Sequence, residues 1–205
     1  MRTPKILRWR FVGGAIAALL LTLDAYAAPK NLIPNPDFED GTVNPWTFYG
    51  QAALSVSKKG EGHNGSRALY VQVNAVGANF WDSGIQYNKA IVFNKNTQYT
   101  WAMFFKAEKA RRINVKPELS VDPWTAYGET MMNVTPEWAE YYVQFKPPVD
   151  VVPASLTLHI AEVTVNFWMD DVRWYEGTYE PAEGVPFAVE PKAKLAVTWA
   201  DMKTR

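Results

Sequence analysis

Between residues 52 and 175 apolar residues never hold a helical spacing for long; they alternate with polar ones through short runs broken by Gly, Pro and Asn. Nine such runs, 52–57, 68–73, 85–93, 99–107, 113–119, 131–134, 138–146, 156–161 and 165–175, predict an all-β chain folded as a sandwich of antiparallel sheets. Alternation fixes the faces. Tyr99, Trp101, Met103 and Phe105 share one side of their strand and belong to the core, as do Leu156, Leu158 and Ile160, which sends Thr157 and His159 to the opposite surface. A bulge after Trp138 would let Trp138, Tyr141, Val143 and Phe145 point inward together, leaving Tyr142 and Gln144 outside.

A sandwich of this length must hold itself together by packing alone, because the sequence contains no cysteine. Aromatic residues make up 14% of the chain, enough large apolar surface to fill a core within a domain of about 150 residues.

The ends of the chain read differently. Arg2, Lys5, Arg8 and Arg10 precede an apolar run over 11–23 and then Ala25-Tyr26-Ala27, the small-x-small pattern of a cleavable secretory leader. This predicts a signal peptide over 1–27, an exported β-sandwich over 28–177 with no membrane span in its mature form, and a linker or tail over 178–205 marked by Pro181, Pro186 and Pro191. The tail is a candidate attachment point for a partner enzyme or a cell-surface component. Without the leader the chain keeps 17 basic against 20 acidic residues. The densest basic stretch, Lys106 to Arg112, is interrupted by Glu108 and reads as a solvated hairpin turn, so nucleic acid is excluded as a partner.

Catalytic chemistry finds little to use. Glu118, Glu129, Glu140 and Glu162 sit in no recognisable paired-carboxylate signature, and there is no thiol nucleophile, H-E-x-x-H run, Gly-x-Ser-x-Gly elbow or phosphate loop. Aromatic rings in polar, loop-like segments are more informative, because pyranose rings lay their C–H faces on aromatic planes while amides, imidazoles and carboxylates meet the hydroxyls. Trp81 in Asn79-Phe-Trp-Asp82, and Trp124 and Tyr127 in Asp122-Pro-Trp-Thr-Ala-Tyr-Gly128, are the best platforms. Gln86, His159, Glu162 and Tyr142 are the polar candidates beside them.

Five segments then carry a resemblance: Asn31-Leu-Ile-Pro-Asn-Pro-Asp-Phe-Glu-Asp-Gly41, His63-Asn-Gly-Ser-Arg-Ala-Leu69, Thr97-Gln-Tyr-Thr-Trp-Ala-Met-Phe-Phe-Lys-Ala107, Glu137-Trp138 followed by Phe145 and Pro147, and Met169-Asp-Asp-Val172. In this order they resemble the carbohydrate-binding modules of families 4, 9 and 22, over roughly residues 31 to 176. The resemblance implies a jelly-roll β-sandwich, non-catalytic binding of a polysaccharide or oligosaccharide of β-glucan or xylan type, and association with glycoside hydrolases, although no catalytic-domain signature is read within these 205 residues. It raises Trp81, Trp124, Gln86 and His159 among the candidates. It further implies a structural Ca²⁺ near the chain ends, held by Glu39, the Asp37 carbonyl, a carbonyl near Ser66, and Asp170, with Asp171, Glu61 and His63 as possible substitutes. From the residues alone, Asp37 and Asp40 equally suit turn caps and Asp170 a local hydrogen bond. An exported scaffold or adhesion domain without glycan binding, and a jelly-roll hydrolase or lyase, are the alternative readings.

Overall fold

The computed structural model describes residues 29–182; the expected leader and the tail beyond residue 182 lie outside the described residues. Ten strands form two antiparallel five-stranded sheets: β1 (Thr47–Tyr49), β2 (Ala52–Val56), β3 (Leu69–Val73), β4 (Gly84–Tyr87), β5 (Tyr99–Ala107), β6 (Arg111–Leu119), β7 (Thr130–Val134), β8 (Ala139–Phe145), β9 (Ala154–His159) and β10 (Phe167–Glu176). One sheet, here the front, runs β1-β4-β9-β6-β7 and the other, the back, β2-β3-β10-β5-β8. The chain crosses repeatedly between them, which makes the domain a jelly-roll sandwich. Among the described residues the only helical element is one short 3-10 turn, His63–Gly65.

The alternation in the sequence has a direct structural counterpart. Tyr99, Trp101, Met103 and Phe105 of β5 meet Leu156, Leu158 and Ile160 in a single core between the sheets, joined by Trp46, whose indole stacks on Trp101 at 6.2 Å. Burying each of these side chains contributes roughly 1.5–3 kcal/mol, so the sandwich needs no cross-link. Three differences from the sequence reading have simple causes. β1 went unnoticed because three residues between Pro45 and Gly50 cannot display a period of two. The run 85–93 stops as a strand at Tyr87, and only Phe93 rejoins a ladder, through a bridge to Val151. Trp138 is outside the core: strict alternation from Tyr141 and Ala139 leaves no bulge, and its ring rests on the back sheet's outer face, 5.0 Å from Lys106 Nζ.

The back sheet's outer face is largely covered by its own chain. Phe104 lies beneath the His63 ring, with centroids 3.9 Å apart, and Thr100 Oγ1 donates to the Gly177 carbonyl at 2.9 Å. Beyond Gly177 the chain folds back. Tyr179 stacks flat on Tyr142 at 3.7 Å and donates its hydroxyl proton to Glu140, which also accepts the Ala182 N–H and pairs with Arg173. The hairpin expected at 106–112 is solvated at its tip, but Arg111 is buried, donating to the carbonyls of Ile160, Val165 and Arg112 and so clamping the β9–β10 connection.

Candidate functional site

On the front sheet most residues alternating with the core are polar, and register aligns them in rows. Tyr49, Gly84, His159, Asn114 and Met131 form one row across all five strands; Thr47, Gln86, Thr157 and Lys116 form the next. Two loops rise beside these rows. The β3–β4 loop is tied to the end of β9 by Gly77 N–H donating to Ala161 O and Ala161 N–H to Phe80 O, and it lifts Trp81 edge-on against Phe80. The β6–β7 loop folds back on β6, with Leu119 N–H donating to Thr125 O and Tyr127 N–H to Pro117 O. At its tip Trp124 adopts φ +56°, a left-handed backbone that a bulky residue rarely accepts, and such strain persists where surrounding structure fixes it.

Between the loops lies a groove of about 570 Å³, lined by Tyr49, Phe80, Trp81, Gln86, Lys116, Glu118, Trp124, Glu129 and His159. Trp81 and Trp124 are 49% and 51% exposed, unlike the fully covered tryptophans of the core. Four of the seven ring and polar candidates read from the sequence therefore share one groove: Trp81, Trp124, Gln86 and His159. Tyr127 does not join them, since its ring packs against the core from the β6–β7 loop. Tyr142 belongs to the back sheet under Tyr179, and Glu162 lies just outside the groove, paired with Arg112.

The groove floor is a connected polar network. Glu129 accepts a hydrogen bond from Asn114 Nδ2 at 3.0 Å, so the Asn114 carbonyl oxygen faces His159 Nδ1 at 3.1 Å. That arrangement protonates Nδ1 and makes Nε2 an acceptor. Burial, with help from the Lys116 charge, holds the His159 imidazolium pKa down to about 4, so the ring is neutral at ordinary pH. Lys116 pairs with the buried Glu118 at 2.8 Å. Tyr49 lies across Gly84, where a Cβ would collide with its phenol, and burial with Glu118 and Asp82 nearby pushes that phenol well above its ordinary range. The floor thus presents the neutral groups of Gln86, Asn114, His159 and Tyr49 beside the Glu129 carboxyl group and the Lys116–Glu118 ion pair. Tyr49, Phe80, Lys116, Glu118 and Glu129 were not singled out for this site from the sequence; alternation along β6 places Lys116 and Glu118 on this face, but nothing marks them apart from other surface charges.

The acidic residues near the chain ends also converge. Asn31 bridges to β10 through Val172 O and Trp174 N–H, and Val172 N–H donates to Pro36 O, bringing the 37–41 turn beside Asp170. Glu39 accepts the Arg67 N–H at 2.5 Å. Asp170 is fully buried and accepts from Ser66 Oγ at 2.7 Å and His63 N–H at 2.8 Å; burial raises its carboxyl to about 6 despite these bonds. Ser66 Oγ lies 2.5 Å from His63 O and 3.0 Å from Arg67 O as well, so three acceptor oxygens compete for one hydroxyl proton. The Asp37 side chain instead caps its own turn at Glu39 N–H. Among the described residues no three His, Cys, Asp or Glu side chains form a metal-binding group, so a cation here would depend on hydroxyl and carbonyl oxygens as well as carboxylates.

Known proteins share this architecture. The structure is similar to a carbohydrate-binding module of family 4 (24% identity, 71% of this chain and 99% of that one, TM-score 0.56). It also resembles the family 22 xylan-binding domain of a Paenibacillus barcinonensis xylanase (15% identity, 70% and 93% coverage, TM-score 0.55) and the C-terminal family 22 module of a Clostridium thermocellum xylanase (20% identity, 75% and 99%, TM-score 0.55). A search of curated proteins finds no significant match. Residues 30–166 match the family model described as a carbohydrate binding domain, CBM_4_9, and the chain belongs to that family.

Proposed function

We propose that this domain is an exported, non-catalytic module that binds a neutral polysaccharide of β-glucan or xylan type in the front-sheet groove, with a structural Ca²⁺ at the chain ends. The observation that carries the reading is the pair of half-exposed indoles, Trp81 and Trp124, flanking a floor of Gln86, His159 and Tyr49. Flat rings with equatorial hydroxyls suit such a surface, since indoles cover the C–H faces and the polar floor meets the ring edges. Non-catalysis is supported by the commitment of Glu118 to Lys116 and of Glu129 to Asn114. The family 22 neighbours include a xylan-binding domain and a two-module xylanase fragment complexed with xylohexaose, which favours xylan among the ligands to try.

Affinity electrophoresis against xylan, β-glucan and starch tests the reading. Retardation by the first or second that disappears in the Trp81→Ala, Trp124→Ala double variant supports it; retardation that survives rejects the groove, and release of reducing sugar rejects a purely binding role. For the cation, the crowded oxygens of Ser66, His63, Arg67 and Asp170 are the supporting observation, since a divalent ion would neutralise a buried carboxylate that no Lys or Arg side chain pairs with among the described residues. EDTA should lower the melting temperature and Ca²⁺ restore it. An unchanged melt after complete chelation removes calcium.

A further inference from the structure

The groove continues past Trp81. A second depression of about 400 Å³ lies on the same face, and Phe80 and Trp81 belong to the walls of both; its other side is made by Arg112, Met131 and Glu162. Alternation along β6 turns Arg112, Asn114, Lys116 and Glu118 to one face, so the strand runs beneath both depressions. The six residue steps from Arg112 to Glu118 span about 20 Å.

Arg112 and Glu162 are not arranged as a fold-stabilising pair. Both side chains are solvent-accessible, and an ion pair screened by water in this way adds little to stability. Their geometry is nevertheless specific: Arg112 Nε donates to both Glu162 oxygens, at 3.0 and 3.1 Å, and Nη2 donates to one of them. This leaves the Nη1 protons of the guanidinium and the outer lone pairs of the carboxylate side by side. Adjacent donors and acceptors of that kind match two neighbouring hydroxyls, each of which gives one hydrogen bond and takes another. Trp81 and the exposed thioether of Met131 supply apolar surface next to them.

We propose that this second depression is a further sugar subsite. A chain held in the groove passes over Trp81, and the next pyranose sets its ring between Trp81 and Met131 and its vicinal hydroxyls on the Arg112–Glu162 pair. The inference rests on the glycan-binding reading above and adds to it a sugar position beyond Trp81, held by Arg112 and Glu162.

Titration calorimetry with xylo- and cello-oligosaccharides of two to six sugars separates the two. The wild-type affinity should keep rising as the chain lengthens. Arg112→Ala should weaken the hexasaccharide about tenfold, the effect of losing a charged hydrogen-bonding group, and leave the trisaccharide unchanged. Glu162→Gln, which keeps the shape, should lose several-fold on the hexasaccharide alone. Both variants should melt with the wild type. Equal hexasaccharide affinity in Arg112→Ala and wild type, or the same loss on three and six sugars, overturns the subsite alone. Failure of the wild type to bind any sugar of either series overturns the glycan reading and this subsite with it.

Discussion

His159 offers a quantitative test of how the groove floor is built. Its ring is 7% exposed, packs near Phe80 and faces the Lys116 charge, and these surroundings hold its pKa at about 4 against the usual 6.5. Above pH 6.5 neither the folded nor the unfolded chain protonates this side chain, so it makes no pH-dependent contribution. Between 6.5 and 4 the unfolded chain takes up a proton that the folded chain refuses, so stability falls as pH falls; below 4 both forms are charged and the loss is complete. The difference of 2.5 pH units at 1.36 kcal/mol each sets the loss at about 3 kcal/mol, with a slope approaching one proton in mid-window. Urea unfolding of wild type and His159→Gln at half-unit steps from pH 7.5 to 3.5 measures it, and subtracting the two curves removes the carboxylates that titrate in both. The wild-type curve should drop away from the variant's by about 3 kcal/mol across the window. Parallel curves would show that the imidazole is not held neutral, and the donor–acceptor assignment through Asn114 and Glu129 would fall with it.

Other perturbations reach the rest of the domain. Glu140→Ala would strand Arg173 on the back sheet and release Tyr179 and the Ala182 N–H, a loss of about 3–5 kcal/mol by chemical denaturation, with groove ligands still bound. Trp101→Ala opens a cavity between the sheets and should cost about 3–5 kcal/mol; Trp101→Phe should cost less than volume alone suggests, because the buried indole N–H has no partner to lose. Gly62→Ala places a Cβ against Arg67 O and Ser66 Oγ, so its melting temperature should fall and any rise on adding Ca²⁺ should shrink.

How much of this was legible in the sequence depended on whether a feature was local. Tyr99 to Lys106 displays its alternation within eight residues, and the core face it predicted is the core face found. The indoles at 81 and 124 stood out because their neighbours are polar, and both line the groove. Tyr127 shared that loop-like context, yet its N–H pairs with Pro117 and its ring turns to the core, a choice made by the loop's return onto β6 and not by adjacent residues. The other face of β5 is likewise settled by distant parts of the chain. Thr100, Ala102 and Phe104 alternate like solvent-facing positions and are all buried, because His63 and Gly177, distant in sequence, lie over that face.

That covering explains why one sheet and not the other carries the groove. A sandwich has two outer faces, and either could present rings to a ligand. On the back face Tyr142 lies under Tyr179, Phe104 lies under His63, and Trp138 and Trp168 share Lys106 between them at 5.0 and 4.7 Å, so the chain itself already occupies these rings. On the front face no such segment crosses among the described residues; Trp81 and Trp124 keep about half their surface in water, and the floor between them is already internally hydrogen-bonded. A ligand entering there finds side chains fixed before it arrives, so little ordering entropy opposes binding, whereas one approaching the back face must first displace the 179–182 strap and break its contacts with Glu140 and Arg173.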